Sequence, residues 1–371
     1  LVALFAAWQR GLVAVAVNPA LAGPEQAIVM ATTGARAWCG ELRTDLPDAP
    51  LSAPAAAAGE APALILMTSG TTGRPKGIVH SLAGLQRRVD LNLAAIGAAP
   101  LQKTLCVLPV FFGHGLIGNV LTPLFAGGTV HLFPSPAVSE LPGIGPMIDR
   151  HRISFMSSVP SFWKLALRLS ARPQHALERV HIGSAPLGLG LWRQVAEWAG
   201  TDAVFNMFGM TETANWIGGG ALAAPGAADG YVGQAWGGTL AVRDADGRIV
   251  TSGRGEVLVR TPSIMLGYFE RPDLDAEAFE DGWFRTGDVG DLSVDGQLTL
   301  IGRIKTEINR GGIKIQAEEV DMLLERHPDI LEACAFGIPD VAAGEAVAAA
   351  IVLRPATVFD AEAIKAWCRT Q

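Results

Sequence analysis

Thr68-Ser69-Gly70-Thr71-Thr72-Gly73-Arg74-Pro75-Lys76-Gly77 packs four hydroxyls, three glycines and two cations into ten residues. Such a run can turn backbone N–H groups, hydroxyls and an ammonium toward a single polyanion, because glycine admits close backbone approach. The spacing is not that of a Walker loop. Pro75 stands where that pattern needs glycine, and Gly77 follows Lys76 where Ser or Thr is required. Composition alone also allows a plain surface loop, so the motifs downstream decide.

Four further stretches carry candidate chemistry. Asn206-Met207-Phe208-Gly209-Met210-Thr211-Glu212 follows a strand and offers an aromatic ring beside glycine, then a hydroxyl beside a carboxylate, a pair suited to Mg²⁺. A helix start capped by Thr211 and Glu212 is the alternative. Gly183-Ser184-Ala185-Pro186 is a tight turn whose small side chains would wall a flat pocket. In Trp283-Phe284-Arg285-Thr286-Gly287-Asp288, the Asp288 carboxylate could accept hydrogen bonds from a diol, or lie exposed on a loop. Gly302-Arg303-Ile304-Lys305 and Asn309-Arg310-Gly311-Gly312-Ile313-Lys314-Ile315 join cations to paired glycines; read plainly they are a hairpin end and a surface turn.

The elements that must position these residues follow from patterning. Ala63–Met67 is an apolar strand, Ile78–His80 another, and Ser81 caps a helix running to Ile96. Strands at Leu105–Val110, Gly128–Phe133, Val180–Ile182 and Ala203–Phe205 alternate with helices at Leu116–Phe125 and Leu191–Trp198, which predicts an α/β architecture with parallel sheet. Asp246-Gly247 and Asp295-Gly296 then sit between alternating apolar strands, predicting hairpins and a smaller antiparallel layer. A helix over Glu318–Arg326, strands at Ala333–Ile338 and Ala346–Leu353, and a helix from Asp360 form a last unit. We divide the chain into a large unit over 1–304 and a small one over 305–371.

With 371 residues and nearly half of them apolar, the sequence is that of a globular protein. A net charge of −7 and the lack of a basic block argue against nucleic acid as a partner. Cys39, Cys106, Cys334 and Cys368 are far apart, which fits a reducing, cytoplasmic setting and no metal framework. The apolar Leu1–Val17 stretch is interrupted by Gln9 and Arg10, so it reads as a helix and strand rather than a membrane span.

In this order and spacing the motifs resemble the adenylate-forming superfamily of acyl- and aryl-CoA synthetases, luciferases and peptide-synthetase adenylation domains. The matching stretches are Thr68 to Gly77, Phe208 to Glu212, Thr286 to Asp288 and Gly302 to Lys305, with Gly255-Glu256-Val257 and Gly267-Tyr268-Phe269-Glu270-Arg271-Pro272 between them. The resemblance implies a large multi-layer N-terminal domain of mixed and parallel sheets with a small antiparallel β layer, and a small mobile α+β C-terminal domain. It implies that ATP and a carboxylic acid give an acyl-adenylate and pyrophosphate, that AMP leaves when coenzyme A takes the acyl group, and that Mg²⁺ assists. Carried onto this sequence, Thr68, Ser69, Gly70, Thr71, Thr72, Gly73 and Lys76 hold phosphates. Gly183, Ser184, Ala185, Pro186, Asn206, Phe208 and Gly209 surround adenine, and Asp288 with Arg303 holds ribose. Thr211 touches the α-phosphate, Glu212 binds Mg²⁺ and Lys305 is the hinge residue. Phe112, His114, Met207 and Trp216 are expected to line the acyl pocket, and Gly311 and Gly312 fall in the coenzyme A region.

Three departures accompany the resemblance. The family's C-terminal lysine in a Pro-x-x-x-x-Gly-Lys stretch has no counterpart, Lys365 lacking the glycine, so weak adenylation is expected of this chain. The sequence reads as shortened at both ends. Pro109-Val110-Phe111-Phe112-Gly113-His114-Gly115 places histidine two residues later than many relatives do, in a form like that of benzoate-type ligases. An amino-acid-activating domain is the main rival, but no aspartate follows Phe111 to pair with an ammonium. A catalytically impaired nucleotide-binding regulator and a luciferase-like oxygenase are the others.

Overall fold

The computed structural model describes residues 1–39, 59–68, 76–133, 137–341 and 343–370. Its centre is a six-stranded sheet in the order Thr129–Leu132, Lys103–Cys106, Phe155–Ser158, Arg179–Gly183, Val204–Met210, Asn215–Ala221. The first five strands are parallel and the last turns back antiparallel. Parallel strands need both faces covered, and both are. On one face the helices Ile144–His151, Pro160–Leu169 and Leu189–Ala199 bury Ile148, Trp163 and Trp192 against Leu105, Met156, Val180 and Val204. On the other lie the helix Leu82–Ile96 and a helical run over His114–Phe125 whose first part, His114–Leu121, is wound as a π-helix.

A second, four-stranded sheet packs beyond those helices in the order Ala14–Ala16, Pro62–Thr68, Lys76–Ser81, Gly267–Tyr268. Leu64 and Leu66 from this sheet, Leu85 and Val89 from Leu82–Ile96, and Leu116 and Ile117 from the π-helix share one core cluster. The Ser81 hydroxyl accepts from the Gly84 N–H at 2.9 Å, so the expected cap starts this helix. A seven-stranded antiparallel sheet, built chiefly on Gly253–Arg260, Trp283–Leu292 and Leu298–Arg303, packs through Val242, Val257 and Leu298 onto Phe208 and Ile217 of the central sheet. Both hairpins signalled by Asp-Gly are present, with Gly247 at φ 80 and Gly296 at φ 79.

Residues beyond the Ile304–Thr306 turn build a fourth sheet, Ile313–Gln316, Glu307–Arg310, Gly344–Leu353, Ile330–Asp340, flanked by the helices Ala317–Glu325 and Ala361–Cys368. Ion pairs Lys164–Glu325 at 2.9 Å and Arg326–Asp229 fasten it to the larger unit. Among the described residues no helix is long and apolar enough to cross a membrane.

The mixed α/β architecture with its antiparallel layer agrees with the sequence reading, and three boundaries differ. The strand expected to stop at Phe205 runs through Met210, because Asn215–Ala221 pairs with its second half, so the 206–210 motif lies within a strand and not beyond it. The strand expected over Leu105–Val110 is Lys103–Cys106. Asp288 sits inside the strand Trp283–Leu292, not on a loop. The strands Phe155–Ser158 and Asn215–Ala221 had no sequence expectation. The first is short, and the second holds three glycines that mask any alternation.

Candidate active site

The glycine-rich segment joins two strands that pair antiparallel, with Thr68 opposite Lys76. Residues 69–75 themselves, and with them the expectations for Ser69, Gly70, Thr71, Thr72 and Gly73, lie outside the described residues. At the strand ends the Thr68 hydroxyl is buried and has no hydrogen-bond partner among the described residues. Lys76 Nζ lies 3.2 Å from Glu212 Oε1 and 4.2 Å above the Tyr268 ring. The Tyr268 hydroxyl donates to the same carboxylate oxygen at 2.9 Å. Burial, with Glu212 close by, pushes the Tyr268 phenol up, which keeps it a donor at physiological pH. The turn Thr211–Thr213 at the end of the Val204–Met210 strand delivers Glu212, and the Met265 N–H anchors its carbonyl at 2.7 Å.

Asp288 is paired with Arg303 at 2.7 Å on the neighbouring strand, where the two residues lie in register. Burial pushes the Asp288 carboxyl up to about 6, Arg303 opposes this, and the charges of Glu318 and Glu212 push it further up. The mutual influence of Glu212 and Asp288 brings two distant motifs to one field. Lys305 occupies the turn directly after Arg303.

The third group lies on the central sheet's helix-covered face. His114, at the start of the π-helix, is hydrogen bonded through Nε2 to Ser157 at 2.7 Å and through Nδ1 to Ser184 at 2.9 Å. Burial pushes this imidazole down to about 4, so it is neutral and gives one hydrogen bond while accepting the other. Trp216 stands edge-on to it, 5.4 Å between ring centroids, and Met207, Phe155 and Trp216 share a core cluster. Ser184 takes φ 67, uncommon for a residue with a side chain, at the turn that follows Arg179–Gly183.

The structure thus brings together Lys76, Thr211, Glu212, Asp288 and Arg303 at one rim, and His114, Met207, Trp216 and the Gly183–Pro186 turn beside it. The remaining expected site residues are placed as follows. Phe208 is 5% exposed and packs between two sheets with Ile217 and Val232, so it serves as core rather than as an open stacking platform. Asn206 is buried and its amide donates to the Tyr231 carbonyl at 3.0 Å, tying strands together. Gly209 lies in that same strand, in register with Trp216. Phe112 is half-exposed, tilted on Phe111, and stays outside the buried ring cluster. Gly311 and Gly312 form the exposed tip of the Glu307–Arg310/Ile313–Gln316 hairpin.

Sequence reasoning missed Tyr268, Ser157, His181 and His80. Tyr268 was inside a quoted motif, but its contact with Glu212 spans 56 positions. His80 is fully buried with neither nitrogen partnered, and burial pushes it down to about 4 although the Thr211 backbone and Glu212 favour its charged form. For a divalent cation, the described residues hold no group of three or more His, Cys, Asp or Glu side chains. Glu212 supplies a carboxylate oxygen of the kind that fits Mg²⁺, which commonly binds one or two carboxylates plus phosphate oxygens.

The family model described as AMP-binding enzyme matches residues 38–269, and that described as AMP-binding enzyme C-terminal domain matches 319–371. An oxalate–CoA ligase of Arabidopsis thaliana is 35% identical over 83% of this chain, which spans 60% of that protein's length. The o-succinylbenzoate CoA synthetase of Bacillus subtilis, solved with ATP and magnesium ion, aligns at TM-score 0.74 and 27% identity over 84% of this chain and 64% of its own. An amide bond synthetase of Marinactinospora thermotolerans aligns at TM-score 0.84 and 26% identity over 99% of this chain and 80% of its own. The first match takes in Lys76, His114, Glu212 and Tyr268 and runs over more than half of the sequence, so the chain belongs to the AMP-binding enzyme family.

Proposed function

We propose that the protein activates a carboxylic acid with ATP and passes the acyl group to the thiol of coenzyme A. A carboxylate oxygen attacks the α-phosphorus, the bond to the bridging oxygen breaks, and pyrophosphate leaves. In the second half the thiolate sulfur attacks the acyl carbon of the mixed anhydride and AMP departs. The observation that carries this reading is the convergence of Lys76, Glu212 and Tyr268 with Asp288 and Arg303, residues from five separate segments, around one rim. The CoA ligases and synthetases among the relatives support the acid and thiol assignments.

The residues act mainly by positioning and by charge neutralisation. Lys76, next to the Thr68 hydroxyl, meets phosphate oxygens, and exchanging Glu212 for phosphate frees that carboxylate. Glu212 would hold Mg²⁺, which neutralises phosphate charge when bound. Asp288, released from Arg303, accepts from ribose hydroxyls. His114 stays neutral between two serines and shapes the acid's end of the cleft. We place the boundary between a large unit, 1–304, and a mobile small unit, 305–371, at Lys305, where strand gives way to turn and a separate sheet begins.

The test is ATP–pyrophosphate exchange over a broad panel of carboxylic acids, followed by thioester detection with coenzyme A. Acid-dependent exchange is expected; an extended panel with none would end the adenylation reading. An amino acid as the preferred substrate would favour the peptide-synthetase-like rival.

A further inference from the structure

Resting on that adenylation reading, we infer that the inner wall of the acid's cleft receives a second anion, so that the activated acid carries another carboxylate at its far end. The wall is the face of Arg179–Gly183 shared by Arg179, His181 and Gly183, since alternate residues of a strand point the same way. Arg179 Nε donates to His181 Nε2 at 2.8 Å. Because that nitrogen accepts, the ring proton of the neutral imidazole sits on Nδ1. Nδ1 is buried and meets no acceptor. Trp216 stands 4.7 Å from the His181 ring, and its indole N–H is likewise buried without an acceptor.

The Arg179 guanidinium lies 3.7 Å over the Phe205 ring and 5.8 Å from Trp236, with no carboxylate partner among the described residues. Two orphaned donors and a half-buried, uncompensated cation therefore share one small region. An apolar acid would leave all three as they are. A carboxylate would accept from the N–H groups and neutralise the guanidinium, whose planar fork suits carboxylate geometry.

His181 precedes Gly183 by two residues, about 7 Å along a strand, close to the separation of the carboxyl carbons in an extended diacid of about six carbons. Met207, unbranched and packed with Phe155 and Trp216, is the side chain able to yield as the acid enters.

Matched pairs test this: butyrate against succinate, and hexanoate against adipate, read by pyrophosphate exchange and independently by quenching of tryptophan fluorescence. At least one diacid should exceed its monoacid by tenfold or more in kcat/KM and perturb fluorescence at tenfold lower concentration. Arg179→Met should lower the diacid-to-monoacid ratio at least tenfold, with Arg179→Lys restoring part of it. Monoacids equal to or better than diacids in both readouts would overturn the inference while leaving adenylation intact, and so would a variant that changes both members of a pair alike. If no acid supports exchange, adenylation fails, and the fluorescence comparison still decides: equal perturbation by both members overturns the second-anion site.

Discussion

The rim and the wall of this cleft solve the problem of unsatisfied polar groups in opposite ways. At the rim the described charges are paired within the chain, Lys76 with Glu212 and Asp288 with Arg303, where a ligand can exchange for a partner. At the wall, among the described residues, Nδ1 of His181 and the indole N–H of Trp216 are buried and unpaired, and His114 is closed between two serines. Exchangeable pairs suit a ligand shared by a whole family. Fixed, unpaired donors suit one particular ligand. Under the proposed function, the rim would handle the nucleotide and the wall would select the acid.

The largest effect that would break this division is at Glu212. Glu212→Gln should lower exchange by about 10²–10³-fold, the usual cost of one preorganised electrostatic group. Its melting temperature should stay within about 2 °C, since the amide can still accept from the Tyr268 hydroxyl while only the charge partner Lys76 is lost. Full turnover in this variant would remove the rim from the nucleotide.

Asp288→Asn sharpens the same point through pH. A carboxyl raised from 3.8 to about 6 stabilises the fold below pH 4 relative to its effect at neutral pH, and this contribution is lost as pH rises through 6. Ionised Asp288 therefore costs up to about 3 kcal/mol at pH 7.5. The variant should melt higher at pH 7.5 by roughly 2–5 °C, with the gap closing below pH 4, and exchange should drop about tenfold. A variant that melts lower at pH 7.5 would refute the burial cost.

At the wall, His114→Leu is expected to raise the acid's KM about three- to tenfold and leave the KM of ATP alone, the opposite of the rim variants. Because burial holds this imidazole near 4, the wild-type rate should show no histidine limb at this residue between pH 6 and 8. An equal rise in both KM values would erase the contrast. The smallest effect belongs to the fastening of the small unit: Lys164→Ala should shift the ratio of thioester formation to exchange by about two- to threefold, and added salt should mimic it.

What was legible beforehand divides along the same line. Rim residues sit in short local motifs where glycine, hydroxyl and charge occur together, so Lys76, Glu212, Asp288 and Arg303 could be named from spacing. The wall arises from the pairing of four strands and a π-helix. Ser157 comes from a four-residue strand, and His181 meets Arg179, Phe205 and Trp216 only after the sheet forms. Phe208 shows the converse error: its motif was read correctly, but the antiparallel layer that covers it lies 24 or more positions further on, at Val232 and beyond.

Ser184 carries a last consequence. A side-chain-bearing residue in left-handed backbone costs on the order of 1 kcal/mol that glycine would not, yet its hydroxyl is one of the two clasps on His114. Selection for heat resistance would therefore drift toward Ser184→Gly, and selection for acid turnover would resist it. Thermal robustness and a rigid imidazole compete at a single codon.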